Sequence, residues 1–284
     1  MRQTDEVEQL AARWREQLAD WAIPPGIRRR VREDPWALPP RIFSRRAEQQ
    51  LAAPTGPSFE RAVEALAEPG EVLDVGAGAG AASLPLAGRS TRLTAVDVSG
   101  ELLVELRRRA RSAGRRPATA AEPWLGTVQG RWPDVAAEVG TADLVVCHHV
   151  LYNVPDLPAF VTALTGHARR RVVCELTERH PLSRLNPLWR RFHGLDRPRG
   201  PTADDALALL HALGLRPRAV RWTRPAETGG EANRDRVELT RLRLCLPPER
   251  AGEVAGALAE LDTAGPVEQS LVTVWWPGGA PPGR

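Results

Sequence analysis

Val72-Leu73-Asp74-Val75-Gly76-Ala77-Gly78-Ala79-Gly80 is a short apolar strand with one aspartate in it, breaking into a turn that has glycine at every second position. Without a Cβ, those glycines let the backbone turn tightly and approach a ligand closely. The apolar stretch Ala81 to Ala87 is expected to open a helix whose first N–H groups point back at the same spot. Thr94-Ala95-Val96-Asp97 reads as a second strand, ending in an acid seventeen residues after Gly80. A carboxylate there is placed to accept hydrogen bonds from the two hydroxyls of a ribose. The whole reads as a βαβ unit that binds a nucleoside.

Gly76-x-Gly78-x-x-Ala81 also satisfies the relaxed dinucleotide fingerprint, with an acid about 20 residues further on. Asp74 tips the balance. It lies two residues before the first glycine, where a pyrophosphate has no use for a carboxylate and a cationic, amine-bearing ligand does. With an acid followed by Gly-x-Gly-x-Gly, the chain resembles the class I S-adenosylmethionine-dependent methyltransferases over roughly residues 59 to 277. The resemblance implies an α/β fold: a doubly wound, mostly parallel, seven-stranded Rossmann-like sheet whose antiparallel last strand slips between strands five and six. It also implies S-adenosyl-L-methionine as cofactor, with Asp74 near its methionine end and Asp97 on its ribose.

Bulk properties fit one α/β domain with an appendage. The 284 residues include three cysteines, Cys147, Cys174 and Cys245, widely spaced and without a Cys-x-x-Cys pair, which argues for a reducing compartment and against structural zinc. Met1 to Glu6 is polar and acidic, so no secretory leader is expected, and no apolar run reaches membrane-spanning length. A cytoplasmic enzyme is the expectation. All 39 basic residues are arginine, which excludes Schiff-base chemistry and a phosphate-loop lysine. A codon bias explains this more simply than selection for guanidinium chemistry. Net charge is only +4, and the triplets Arg28-Arg29-Arg30, Arg107-Arg108-Arg109 and Arg169-Arg170-Arg171 are dispersed. They read as solvated faces rather than a nucleic-acid surface.

Along the chain, Val7, Leu10, Ala11, Trp14, Leu18 and Trp21 mark one face of a helix over residues 4–22. A short helix is expected around Ile27 to Arg32, then an extended connection through Asp34-Pro35-Trp36 and Pro39-Pro40. Ser58 is expected to cap a helix ending near Gly70. Residues 1–58 thus form a helical N-terminal cap, either packing across the sheet edge or covering the cofactor pocket as a lid. Residues 59–284 form the cofactor-binding domain, with 277–284 an unstructured tail. Ser99 caps a helix through Leu102, Leu106 and Ala110; residues 112–126 are loop; Thr127-Val128-Gln129 is strand three. Ala142 to Cys147 is strand four, an apolar run of the kind buried on both faces of a parallel sheet. A helix carrying Phe160, Val161 and Leu164 leads to strand five, Arg171 to Leu176. Thr202 and Asp205 make a capping box for a helix ending at Gly214. Strand six runs from about Arg218 to Thr223, two helices joined at Pro247-Pro248 fill 235–262, and Leu271 to Trp276 is the last strand.

Ligands of such a sheet sit outside the carboxyl ends of its strands. Those ends bring together Asp74, Gly76, Gly78 and Gly80; Asp97 and Val98; Gly130, Arg131 and Trp132; His148 to Asn153; and Glu175 to His180. Many relatives carry an acid where Arg131 stands, to bind the adenine amino group. Here the backbone and Trp132 would cover the adenine, unless Trp132 is ordinary core. His148 borders the cofactor. His149 and Tyr152, the chain's single tyrosine, are the candidate catalytic pair, weighed against buried hydrogen-bonded side chains. Asn153, Glu178, His180, Trp189, Arg190 and His193 are candidate acceptor contacts, since the segment from Glu178 to Gly194 is long and interleaves aromatics with charged groups on that rim. The alternative for it is a surface insertion that merely packs. A metal held by His180 and His193 with Glu175 or Glu178 lacks the dense spacing of metal sites, so none is expected.

Base methylation at an exocyclic amine uses an Asn/Asp-Pro-Pro-Tyr/Phe turn after strand four. This chain has His148-His149-Val150-Leu151 there, and Cys147 and Cys174 are both preceded by valine, unlike a cytosine-attacking nucleophile. The expected function is in-line methyl transfer to a small-molecule acceptor. Methylation of RNA at a ribose or ring nitrogen, or a cofactor-binding regulatory or assembly role without transfer, are the alternatives.

Overall fold

Side chains alternate across the central strands. Val72, Leu144 and Val146 point into one apolar cluster, and Leu73, Val75, Val145 and Cys147 into another on the opposite face. A sheet with two buried faces needs helices on both, which is what the computed structural model shows for the described residues, 2–36, 40–112, 124–225, 230–263 and 268–279. Its strands are β1 (Gly70–Val75), β2 (Ser90–Asp97), β3 (Leu125–Gln129), β4 (Ala142–His148), β5 (Ala168–Thr177), β6 (Arg218–Pro225) and β7 (Glu268–Pro277). They form one seven-stranded sheet in the order β3-β2-β1-β4-β5-β7-β6. The pairs among β1 to β5 are parallel, while β7 runs antiparallel between β5 and β6. This is the architecture the resemblance implied.

The helices are α1 (Arg2–Ala19), α2 (Pro25–Arg28), α3 (Pro40–Ala52), α4 (Pro57–Ala65), α5 (Gly100–Ser112), α6 (Leu157–His167), α7 (Asn186–His193), α8 (Ala203–Ala212), α9 (Gly230–Arg243) and α10 (Ala251–Asp262). One layer is α4 and α5, with Ala62, Leu66, Leu103 and Leu106 against the sheet. The other is α1, α6 and α8, through Trp14, Phe160, Leu164 and Leu209. A third apolar cluster lies apart from both, formed by Ile27 of α2, Leu188 and Trp189 of α7, Leu244 after α9, and Val254 and Leu258 of α10.

Local chemistry sets the boundaries. Thr202 and Asp205 make the expected capping box on α8, and the Ser99 hydroxyl accepts the Leu102 N–H at 3.3 Å at the start of α5. Four expectations are corrected. Ala81 to Ala87 is not an α-helix: Pro85 lacks an N–H and the span between β1 and β2 is short, so turns and a 3-10 turn at Leu84–Leu86 fill it. Ser58 does not cap α4. Gly56, at φ 98°, takes the N-cap with Pro57 following it, and the Ser58 hydroxyl instead pairs with that of Thr273 at 2.6 Å. The connection expected through Pro39-Pro40 gives way at Pro40 to the helix α3, with Pro40 in the first turn where its missing N–H costs nothing. The tail is held further than expected: Pro277 pairs with Arg171, and the N–H groups of Gly278 and Gly279 donate to Arg170 and Thr165. Residues 113–123 of the expected loop and 280–284 of the tail lie outside the described residues.

Candidate active site

The three glycines of the turn have positive φ, 74°, 53° and 89° for Gly76, Gly78 and Gly80. They differ in what surrounds them. A Cβ on Gly76 would stand 2.3 Å from Val150, and on Gly80 2.6 Å from Leu84, so these two are small for packing. A Cβ on Gly78 would meet nothing nearer than Phe43 at 3.5 Å. Gly78 is the glycine that leaves room over the turn. Its N–H donates to Asp97 Oδ2 at 2.8 Å, while Ser99 N–H donates to Oδ1 at 2.8 Å. The Asp97 carboxylate is thus fixed at the end of β2, each oxygen keeping a further lone pair for a ligand hydroxyl.

A cavity of about 570 Å³ runs over these strand ends. Asp97, Val98, Gly130, Arg131 and Trp132 wall one end, Gly76 to Ala79 the middle, and His148, His149, Asn153 and Glu175 the other. The size suits a nucleoside cofactor together with a small partner. Trp132 touches the cavity but is 95% shielded: its indole N–H donates to the Phe160 carbonyl at 3.4 Å and its ring meets His167 edge-on. The core reading of Trp132 therefore accounts for its position. Asp74 and Gly80 are not on the cavity wall. Asp74 is 0% exposed, both carboxylate oxygens lack a partner, and the nearby Ser83 hydroxyl makes no hydrogen bond of acceptable geometry to it. Burial pushes its pKa up to about 7, only partly opposed by Ser83. The expected place of Asp74 beside a ligand is not on the cavity wall: its carboxylate is fully buried.

At the far end four side chains form a chain of hydrogen bonds. Glu175 Oε1 accepts from Arg46 Nη2 at 2.8 Å and lies 2.9 Å from His149 Nε2, whose Nδ1 is 2.9 Å from the Tyr152 hydroxyl. Burial alone would raise the Glu175 pKa, but the His149 hydrogen bond and the positive neighbours hold it well below the usual range. An ionised carboxylate only accepts, so His149 carries its proton on Nε2 and accepts from Tyr152 at Nδ1. Burial, then Arg46, lowers the His149 pKa to about 4, so the ring is neutral at physiological pH. Burial likewise takes His148 to about 4 and pushes Tyr152 up. Both nitrogens of His149 are committed, and Tyr152 is not on the cavity wall. The expected catalytic pair is therefore not arranged to take a proton from a ligand. His149 also has φ 61°, a left-handed conformation held by its ring contacts and by its N–H donating to the Glu175 carbonyl at 2.6 Å.

Of the rim residues, Asn153 reaches the cavity and the others do not. Trp189 is buried in the third cluster beneath the Arg197 guanidinium, and Arg190 pairs with Asp196 on the surface. His193 donates from Nε2 to the Leu244 carbonyl, 2.7 Å away. His180 stacks on Trp21 at 4.2 Å, and Glu178 faces Arg221 at 3.5 Å. Two turns of helix with an apolar face found a closer partner in α2, α9 and α10, so the packing alternative holds for this segment. Sequence reasoning missed the roof: Phe43, Arg46 and Gln50 of α3, Phe59 of α4, Trp36 and Arg224. The signal for α3 was present, since residues 41–52 contain no Gly or Pro and Phe43, Ala47 and Leu51 recur every four residues. Nothing local marked Arg46 or Arg224 as site residues.

A cradle at Gly78 and a fixed acid at the end of β2 form a ligand site at the strand ends of a doubly wound sheet closed by an antiparallel β7. Residues 73–172 match the family described as a methyltransferase domain. The cyclopropane-fatty-acyl-phospholipid synthase-like protein of Lactobacillus casei superposes with a TM-score of 0.54 at 16% identity, over 84% of this chain and 92% of that one. The YcgJ protein of Bacillus subtilis gives 0.52 at 16% identity, over 80% and 99%. The magnesium protoporphyrin IX methyltransferase of Synechocystis, a structure with bound S-adenosylhomocysteine, gives 0.48 at 15%, over 84% of each. No curated protein matches the chain. Residues 73–172 thus carry the mark of a methyltransferase domain, a family whose cofactor is S-adenosylmethionine, and the superpositions show the matching fold. The residues present fit that group: an open glycine cradle, an acid at the end of β2 with free lone pairs, and a buried carboxylate, Asp74, without a partner.

Proposed function

We propose that this methyltransferase acts on a small molecule, held beside the cofactor under α3. Asp97 would take the ribose hydroxyls, Val98 and Gly130 to Trp132 would flank the adenine, and Gly76, Gly78 and His148 would border the methionine moiety. Asp74 would act through the turn as a buried negative charge rather than by contact. Residues 1–58 would be the roof of the site and 59–284 the catalytic domain. Bound there, the cofactor supplies an electrophilic methyl group; the chain aligns the partner and keeps water out.

The observation that carries the small-molecule reading is where the arginines go. Arg108 and Arg109 pair with Glu105, and Arg109 also with Glu48; Arg169 pairs with Glu71 and Asp143, Arg170 with Asp143, and Arg171 with Glu64. These guanidinium groups are spent on internal pairs and do not add up to a phosphate-tracking surface. Incubation with methyl-labelled cofactor and either a small-molecule extract or total RNA should place label in the small-molecule fraction. Label in RNA, with RNA binding that persists at physiological salt, would overturn this reading.

A further inference from the structure

We infer, resting on the methyltransferase reading, that the acceptor is a carboxylate bound by Arg46 and that the product is its methyl ester. The first premise is position. Neighbouring strands lie about 4.8 Å apart, and β5 is third from β2 in the sheet, so Glu175 stands on the order of 14 Å along the sheet from Asp97. The cofactor sulfur is joined to the ribose through one carbon, so it falls well short of Glu175. The cluster of Arg46, Glu175 and His149 therefore lies past the sulfur, in the region that the cofactor's amino-acid chain and the methyl group's partner share.

The second premise is donor capacity. Arg46 lines the cavity and makes one hydrogen bond, from Nη2 to Glu175. Among the described residues its Nε is buried without a partner, and the fork makes no hydrogen bond besides the one to Glu175. Glu175, by contrast, is already served by Arg46 and His149, with Arg224 Nη1 at 3.9 Å. The surplus at this end is of N–H donors on a guanidinium, which matches an oxyanion and, by the geometry of the fork, a carboxylate.

The third premise is the lack of a free base. An amine or hydroxyl acceptor must shed a proton. His149 has both nitrogens engaged, Tyr152 is a donor to it off the cavity wall, and Glu175 is held ionised by its partners. His148 borders the cavity, but its Nε2 is buried and bonded to nothing, and burial takes its pKa to about 4, which leaves the ring a weak base. A carboxylate needs no base. One oxygen stays on Arg46; the other donates its lone pair to the methyl carbon as the carbon–sulfur bond breaks and its electron pair returns to sulfur. Anion and sulfonium become neutral ester and neutral thioether, and no proton moves. The ester has lost the charge that Arg46 held, which favours its release.

Two measurements test this. Protein saturated with S-adenosylhomocysteine is titrated calorimetrically with benzoate and octanoate, and with benzamide and octanamide. At least one acid should bind ten-fold or more tightly than its amide, with that preference cut below about two-fold in Arg46→Gln and partly kept in Arg46→Lys. Equal binding of acid and amide, or an undiminished preference in a folded Arg46→Gln protein, overturns the inference. Should Arg46→Gln not fold, the Lys variant and the second measurement decide. In that measurement, label transferred into the small-molecule fraction is treated with mild base: release as methanol is expected, and base-stable label overturns the inference. Failure of S-adenosylhomocysteine itself to bind would strike the methyltransferase reading instead.

Discussion

Asp74 and Gly76 show how single positions in the glycine turn divide the work. The Asp74 pKa is raised from 3.8 to about 7 by burial. Between those values the native state keeps a proton that the unfolded chain has lost, so this residue's contribution to stability is present below pH 4 and is lost as pH rises through 7. The full shift corresponds to about 4 kcal/mol. Asp74→Asn should flatten that slope and stabilise the ligand-free protein at pH 8, read by urea unfolding between pH 5 and 8; an unchanged slope would mean the group is not the one titrating. Gly76→Ala should destabilise by roughly 1–3 kcal/mol, since it meets Val150 and holds a positive φ. Gly78→Ala, open apart from Phe43, should cost less stability and more cofactor affinity. A larger stability loss at Gly78 than at Gly76 would reverse the division. The positive-φ turn at Gly76, Gly78 and Gly80 and the acid ending β2 could be read from sequence because they are local. Arg46 and Glu175 were not, because they lie 129 residues apart and only the sheet order and α3 bring them together.

At the scale of elements, α3 lies over the cavity where the segment carrying α7 was expected to make contacts. α3 roofs the cavity and is tied down by polar contacts on three sides: Arg41 and Arg45 to Asp235 of α9, Arg46 to Glu175 of β5, and Glu48 to Arg109 of α5. Asp235→Asn should therefore speed hydrogen exchange of the α3 amides while the amides of β1 and β4 stay protected; uniform protection would show that Asp235 does not hold the helix. α7 instead buries Trp189 at 3% exposure. Trp189→Ala should cost about 3–5 kcal/mol of stability as a core truncation and leave S-adenosylhomocysteine affinity unchanged in the protein that remains folded. An affinity loss without a stability loss would return that residue to the site. The sequence pattern of α7, an aromatic face beside arginines, suits a ligand and a neighbouring helix equally, and only the packing of α9 and α10 decides between them.

Across the whole molecule, the sheet order followed from the family resemblance that the glycine turn carries, since apolar runs mark single strands such as β4 but not which strands pair. Helices fared worse where tertiary contacts choose the ends: Pro85 truncates the first crossover, and Gly56 rather than Ser58 opens α4. Among the described residues no helix is long and apolar enough to cross a membrane, and no group of three or more His, Cys, Asp or Glu is placed to hold a metal. The central claim is that the cavity over the strand ends is built for S-adenosylmethionine, with Asp97 on its ribose. Isothermal titration calorimetry of the purified chain with S-adenosylhomocysteine and with NAD, repeated on Asp97→Ala, tests it most directly. Binding of S-adenosylhomocysteine is expected, with no heat from NAD, and with a loss of about 1.5–3 kcal/mol in the variant as hydrogen bonds to a charged acceptor disappear. Tight NAD binding with none for S-adenosylhomocysteine would contradict the account.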